Sequence, residues 1–98
     1  MRKKIQNLLR EGKKIETNLF NLYFKNREDL KIGFIGTSKI GKPVKRNKAK
    51  RYLREIIRKN FKKGDFLFVL KKEIIDKNFE DIERVFKEIK NEITEIPY

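Results

Sequence analysis

Between Lys42 and Lys63 the chain places eleven Lys or Arg residues and a single acid, Glu55. A segment so charged can fold only if its few apolar residues gather on one side. Ala49, Tyr52, Leu53, Ile56 and Ile57 fall within one arc of a 3.6-residue period, while Lys48, Arg51, Arg54, Arg58 and Lys62 project from the opposite arc. The spacing predicts a helix that starts at Pro43, where the missing N–H costs nothing, runs to about Lys63 and is ended by Gly64. One face of this helix must pack on a core, and the other is left cationic.

The remaining elements follow from the same apolar periods. Arg2 to Glu11 places Ile5, Leu8 and Leu9 on one side, with Gly12 as a C-cap, which predicts a short amphipathic helix. Lys14 to Lys25 reads as a strand with Phe20, Leu22 and Phe24 on one face. Its other face carries Asn21 and Tyr23, a mixture of polar and aromatic groups suited to meeting a ligand. A break at Asn26 to Asp29 and a second strand from Leu30 to Ser38 suggest a hairpin. After the basic helix, Asp65 to Lys72 reads as a buried strand. Asn78 caps a last helix whose Phe79, Ile82, Phe86, Ile89 and Ile93 form one stripe. The order helix, strand, strand, helix, strand, helix predicts an α+β fold, a two-layer α/β sandwich in which helices cover a small sheet. At 98 residues there is room for one domain, 1–98.

Several function classes are excluded by what the chain lacks. Without cysteine there is no disulfide framework and no thiolate, and without histidine the usual zinc ligands and the commonest general base are missing. The carboxylates are scattered, with no paired metal-ligand spacing, so no residue is assigned a catalytic role. No stretch approaches the roughly 18 apolar residues a membrane span requires. The N-terminal MRKKIQNLLREGKK is too charged for the apolar region of a signal peptide. The expectation is a soluble, unprocessed, cytoplasmic protein with no membrane partner.

The net charge is +13, of which +10 lies between Lys42 and Lys63. Cations at i, i+3 and i+4 with almost no Glu between them repel by a few tenths of a kcal/mol per pair. A phosphate backbone removes that cost, and the interleaving of Arg with Lys supplies forked contacts beside point charges. Such a helix points to a nucleic acid. Duplex DNA is the poorer candidate, because a helix-turn-helix needs a second helix just before the basic one, where this sequence reads as strand.

Thr37 to Glu55, TSKIGKPVKRNKAKRYLRE, resembles the signature of the bacterial ribonuclease P protein family, which runs roughly SKKVGNAVxRNRxKRxxRE. Gly41, Val44, Arg46, Asn47, Lys50, Arg51, Arg54 and Glu55 match it. Ser38 replaces a usual Lys and Lys42 a common Asn. Lys48 keeps the charge, though not the fork, of the third member of the Arg-Asn-Arg triplet. LLREGKKIETNLFNLYF and GDFLFVLKK extend the likeness over the rest of the chain.

The resemblance implies a mostly antiparallel sheet with a left-handed βαβ crossover, a rare exception to the right-handed rule, and an exposed basic helix. It implies that Lys39, Lys45, Arg46, Asn47, Lys48, Lys50, Arg51, Arg54 and Arg58 face the catalytic ribonuclease P RNA. Asn47 and Glu55 suit a structural role as well. It also implies a cleft between the first helix and the sheet that holds the 5′ leader of precursor tRNA, with Ile5, Leu9, Asn21 and Tyr23 at the matching positions. A core role suits Ile5 and Leu9 equally. The protein is then a monomer within a holoenzyme, and the RNA binds Mg²⁺ and performs the hydrolysis. A structural RNA-binding protein of the ribosomal kind is the alternative. It shares size and charge but has no preference for a leader.

Overall fold

Phe20, Leu22 and Phe24 alternate with Asn21 and Tyr23, and this period of two organises the sheet. The computed structural model describes residues 12–35 and 41–93. Four strands, β1 (Lys13–Glu16), β2 (Phe20–Lys25), β3 (Leu30–Ile35) and β4 (Gly64–Leu70), form one sheet in the order β1-β2-β4-β3. Two helices, α1 (Pro43–Asn60) and α2 (Phe79–Ile89), accompany it, with short 3₁₀ turns at Lys72–Ile74 and Lys90–Glu92. The helix expected over Arg2 to Glu11 lies outside the described residues, as does the end of the second strand beyond Ile35.

The β1-β2 and β2-β4 pairs are antiparallel and β3-β4 is parallel, so the sheet is mostly antiparallel as expected. Register puts Phe20 opposite Leu70, Leu22 opposite Phe68 and Phe24 opposite Phe66, all on one face. That face joins Ala49, Leu53, Ile56 and Ile57 of α1 and Ile82, Phe86 and Ile89 of α2 in a single buried cluster. Helices thus cover one face of the sheet, which is the two-layer α/β sandwich read from the sequence. The apolar stripes predicted for both helices are the buried ones, with Tyr52 and Phe79 half-buried at their margins.

Three expectations are corrected. The strand expected over Lys14 to Lys25 is two strands, because the Thr17 hydroxyl accepts hydrogen bonds from the backbone N–H of Leu19 (3.2 Å) and Phe20 (3.0 Å) and folds a turn between β1 and β2. The hairpin expected between β2 and β3 does not form, because β4 lies between them. β4 buries side chains on both faces, Phe66 and Phe68 on one and Leu67 on the other, and it pairs along both of its edges. The basic helix ends at Asn60 rather than Lys63. Phe61 leaves the helix in an extended conformation and packs against Phe66 (5.1 Å between ring centroids), so that burial outweighs another helical turn. Gly64, at φ 122°, opens β4 instead of capping the helix.

Both predicted starts hold. Pro43 stands in the first turn of α1. Asn78 caps α2: its side chain accepts from the Asp81 N–H (2.9 Å), and the Asp81 carboxylate accepts from the Asn78 N–H (3.4 Å). Among the described residues no helix is long and apolar enough to cross a membrane.

Candidate nucleic-acid interface

Because α1 buries Ala49, Leu53, Ile56 and Ile57, the residues half a turn away must face solvent, and these are Val44, Asn47, Lys48, Arg51, Arg54, Glu55 and Arg58. All seven are exposed. Val44, Asn47, Lys48, Arg51 and Arg54 line an open depression of about 480 Å³. Val44 is 78% exposed and is the one exposed large apolar residue among those described, so the depression joins an apolar floor to a cationic wall.

The cations of α1 divide by flank. On the side toward α2, Lys45 pairs with Asp76 (3.0 Å) and Lys59 with Glu83 (3.2 Å). Lys48, Lys50, Arg51, Arg54 and Arg58 have no carboxylate partner among the described residues. No described carboxylate offsets their repulsion, which leaves their hydrogen-bond donors available to an anion. Glu55 likewise has no cationic partner there, so the one acid of the helix does not neutralise them. Arg46 is half-buried at the edge of the stripe. Of the positions expected to meet RNA, Lys45, Asn47, Lys48, Arg51, Arg54 and Arg58 are exposed, Arg46 and Lys50 are half-buried, and Lys39 lies outside the described residues.

The start of α1 is fixed by packing. Gly41 has φ +59°, and a Cβ there would stand 3.1 Å from carbons of Ile75. The turn containing Ile75 therefore abuts the chain just before Pro43, and Asp76 of the same turn reaches Lys45. Asp76 and Glu83 were not legible as site residues, because they lie 31 and 24 positions from their partners and only the tertiary fold joins them.

On the sheet face away from the helices, register groups Asn21 and Tyr23 with Val69 and Leu67 of β4 and with Ile35 and Gly33 of β3. Asn21 and Tyr23 are half-buried, and Asn21 Oδ1 is buried with no hydrogen-bond partner. Lys14 of β1 lies 5.7 Å from the Tyr23 ring centroid and bonds Glu16 at 2.7 Å. That bond raises the Lys14 ammonium above its ordinary value and holds the Glu16 carboxyl below its own. The face is thus apolar and aromatic at its centre, with a buried acceptor at Asn21 and the Lys14–Glu16 ion pair at its β1 edge. Asn21 and Tyr23 lie together there as expected, whereas Ile5 and Leu9 lie outside the described residues.

A family model described as Ribonuclease P matches residues 1–94. The ribonuclease P protein component of Petrotoga mobilis is 40% identical over 90 residues, spanning 87% of this chain and 74% of that protein. The protein component of Fusobacterium nucleatum is 39% identical over 100 residues, spanning 87% and 89%. The RNase P protein of Thermotoga maritima has a TM-score of 0.77 at 25% identity, over 95% of this chain and 96% of its own. The RNase P protein of Staphylococcus aureus shares the fold, with a TM-score of 0.81 at 18% identity over 99% and 94%. With the family model spanning nearly the whole sequence and relatives above 35% identity, the chain belongs to the ribonuclease P protein family.

Proposed function

We propose that this chain is the protein component of a ribonuclease P, and that it binds the catalytic RNA through the outward face of α1. The single observation that carries this reading is the sorting of charge on that helix. Lys45 and Lys59 are paired with carboxylates, whereas Lys48, Lys50, Arg51, Arg54 and Arg58 have no carboxylate partner among the described residues. Asn47, Lys48, Arg51, Arg54 and Arg58, with Arg46, Lys45 and Lys50 beside them and Lys39 ahead of the helix, are the residues assigned to the RNA.

The second surface is the far face of the sheet. Tyr23 offers a ring to an unstacked base, worth about 1–3 kcal/mol per stack, and Asn21 stands beside it on the same face. A 5′ leader of precursor tRNA suits such a face, single-stranded as it is, with Ile5 and Leu9 contributing from the N-terminal segment. Leader binding favours precursor over mature tRNA and is lost once the leader is cleaved, so product leaves.

Hydrolysis belongs to the RNA. Among the described residues no group of three acidic side chains is placed to hold a metal ion, and the α1 face is cationic, a donor set that does not fit Mg²⁺. We therefore assign Mg²⁺ to the RNA and the substrate. The protein residues lower the repulsion between two polyanions and so reduce the bulk Mg²⁺ the complex needs. The protein acts in the cytoplasm as one copy per holoenzyme.

The test is reconstitution. Purified protein is mixed with a bacterial ribonuclease P RNA and precursor tRNA at low Mg²⁺, and cleavage is timed with and without protein. A large protein-dependent gain that Arg46→Ala with Arg51→Ala removes supports the assignment. Tight RNA binding with no gain in cleavage would leave a structural RNA-binding protein and sink it.

A further inference from the structure

Four of the α1 cations that have no carboxylate partner among the described residues are supported by aromatic rings. Lys50 Nζ lies 5.9 Å and Arg54 Cζ 5.1 Å from the centroid of the Phe34 ring. Lys48 Nζ lies 5.9 Å and Arg51 Cζ 5.5 Å from the centroid of Tyr52. Each ring thus carries one lysine and one arginine. The rings themselves are held: Phe34 stacks on the fully buried Phe68 (5.6 Å, 19°), and Tyr52 meets Phe79 edge-on (5.5 Å, 85°).

We propose that Phe34 and Tyr52 are positioning residues of the RNA interface, each presenting a π face that orients a Lys and Arg pair toward phosphate without neutralising it. The proposal rests on the assignment of the α1 face to RNA. A carboxylate would orient the same side chains, as Asp76 and Glu83 orient Lys45 and Lys59, but it would cancel their charge and compete with phosphate for their donors. An aromatic quadrupole attracts the cation and leaves its charge intact. A guanidinium lying against a ring keeps its edge N–H groups free for a forked phosphate contact. Long cationic side chains lose rotamer freedom when they bind, and holding them beforehand removes part of that cost. Neither ring is a match in the family signature quoted above, and Phe34 is brought to α1 from β3 only by the fold.

The test uses the full chain and a transcribed bacterial ribonuclease P RNA, with affinity measured at several salt concentrations. Phe34→Leu and Tyr52→Leu leave the charge unchanged. Each is expected to weaken binding by about 3- to 10-fold, a range set by the ordering of one or two side chains. The slope of log K against log salt stays as in the parent, because no phosphate contact is deleted. Phe34→Tyr and Tyr52→Phe keep a ring and are expected to bind within about twofold of the parent.

A double-mutant cycle separates positioning from folding: in a Lys50→Ala, Arg54→Ala background, Phe34→Leu should cost nothing further. Should Phe34→Leu fail to fold, Tyr52→Leu, at a half-buried position, carries the same cycle with Lys48→Ala and Arg51→Ala. Leucine variants that bind like the parent, or that lose as much affinity in the alanine background, overturn the proposal. If Lys50→Ala with Arg54→Ala does not weaken RNA binding at all, the RNA face fails and this inference fails with it. Weakening by those alanines without any effect of leucine sinks the ring alone.

Discussion

Replacing Arg51 by alanine removes one guanidinium from the centre of the exposed stripe, and the structure specifies how large the effect on RNA binding should be. Lys48, Lys50, Arg51, Arg54 and Arg58 are the α1 cations with no carboxylate partner among the described residues. If each meets one phosphate, counterion release sets the slope of log K against log salt at about −3.5 to −4.5, between single-strand and duplex behaviour. The protein's affinity for ribonuclease P RNA should then fall by about 50- to 150-fold between 0.1 and 0.3 M salt. Arg51→Ala should flatten the slope by about 0.7–0.9 and weaken binding by about 5- to 8-fold at 0.1 M. Lys59→Ala removes the same formal charge, but from the flank where Lys59 already bonds Glu83, and Glu83 keeps Lys87 at 3.8 Å. Its slope should stay within about 0.3 of the parent. Fluorescence anisotropy titrations across a salt series read both numbers. Equal flattening by Lys59→Ala and Arg51→Ala, or a parent slope shallower than about −2, would show that net charge rather than the outward stripe governs binding.

Four further outcomes are expected. Gly41→Ala places a β-carbon at φ +59° against Ile75, and the left-handed conformation alone costs about 1–2 kcal/mol, so thermal unfolding should shift down by about 4–8 °C for each kcal/mol. An unchanged melting temperature would refute that packing. Asn78→Ala removes the reciprocal cap of α2 and should lower stability by about 1 kcal/mol in a urea titration, with Asn78→Ser largely retained; equal losses in both would argue against the cap. With no histidine or cysteine in the sequence, RNA affinity should be flat between pH 6 and 9, and a steep pH dependence in titrations would contradict it. Glu16 and Asp29 are held below their ordinary values of 4.5 and 3.8 by hydrogen bonds from Lys14 and Arg27. The stability they contribute is therefore complete above those values and is lost as the pH falls below them, which urea midpoints at neutral and acid pH would show by falling on acidification.

The sequence by itself determined the elements whose pattern is local. The amphipathic period of Ala49, Leu53, Ile56 and Ile57 marked the buried face of α1, and the polar residues between them marked the exposed one. Asn78 ahead of an apolar stripe marked α2, and the alternation of Phe20, Leu22 and Phe24 marked the inner face of β2. Such periods are legible because burial on one side repeats at the spacing of the backbone itself.

Strand order was decided only in three dimensions. β4 separates β2 from β3 by pairing with both along its two edges, and pairing between strands so far apart in sequence leaves no local turn signal. The end of α1 was likewise set by the packing of Phe61 against Phe66, since Lys62 and Lys63 continue the basic pattern in sequence. The sorting of the cations was also tertiary. Lys45 and Lys59 look like their neighbours along the chain, and they differ because Asp76 and Glu83 are brought to one flank of the helix while Phe34 is brought to the other. Charge is counted in one dimension, but whether it is neutralised, oriented or left for a partner depends on contacts between residues far apart in the sequence.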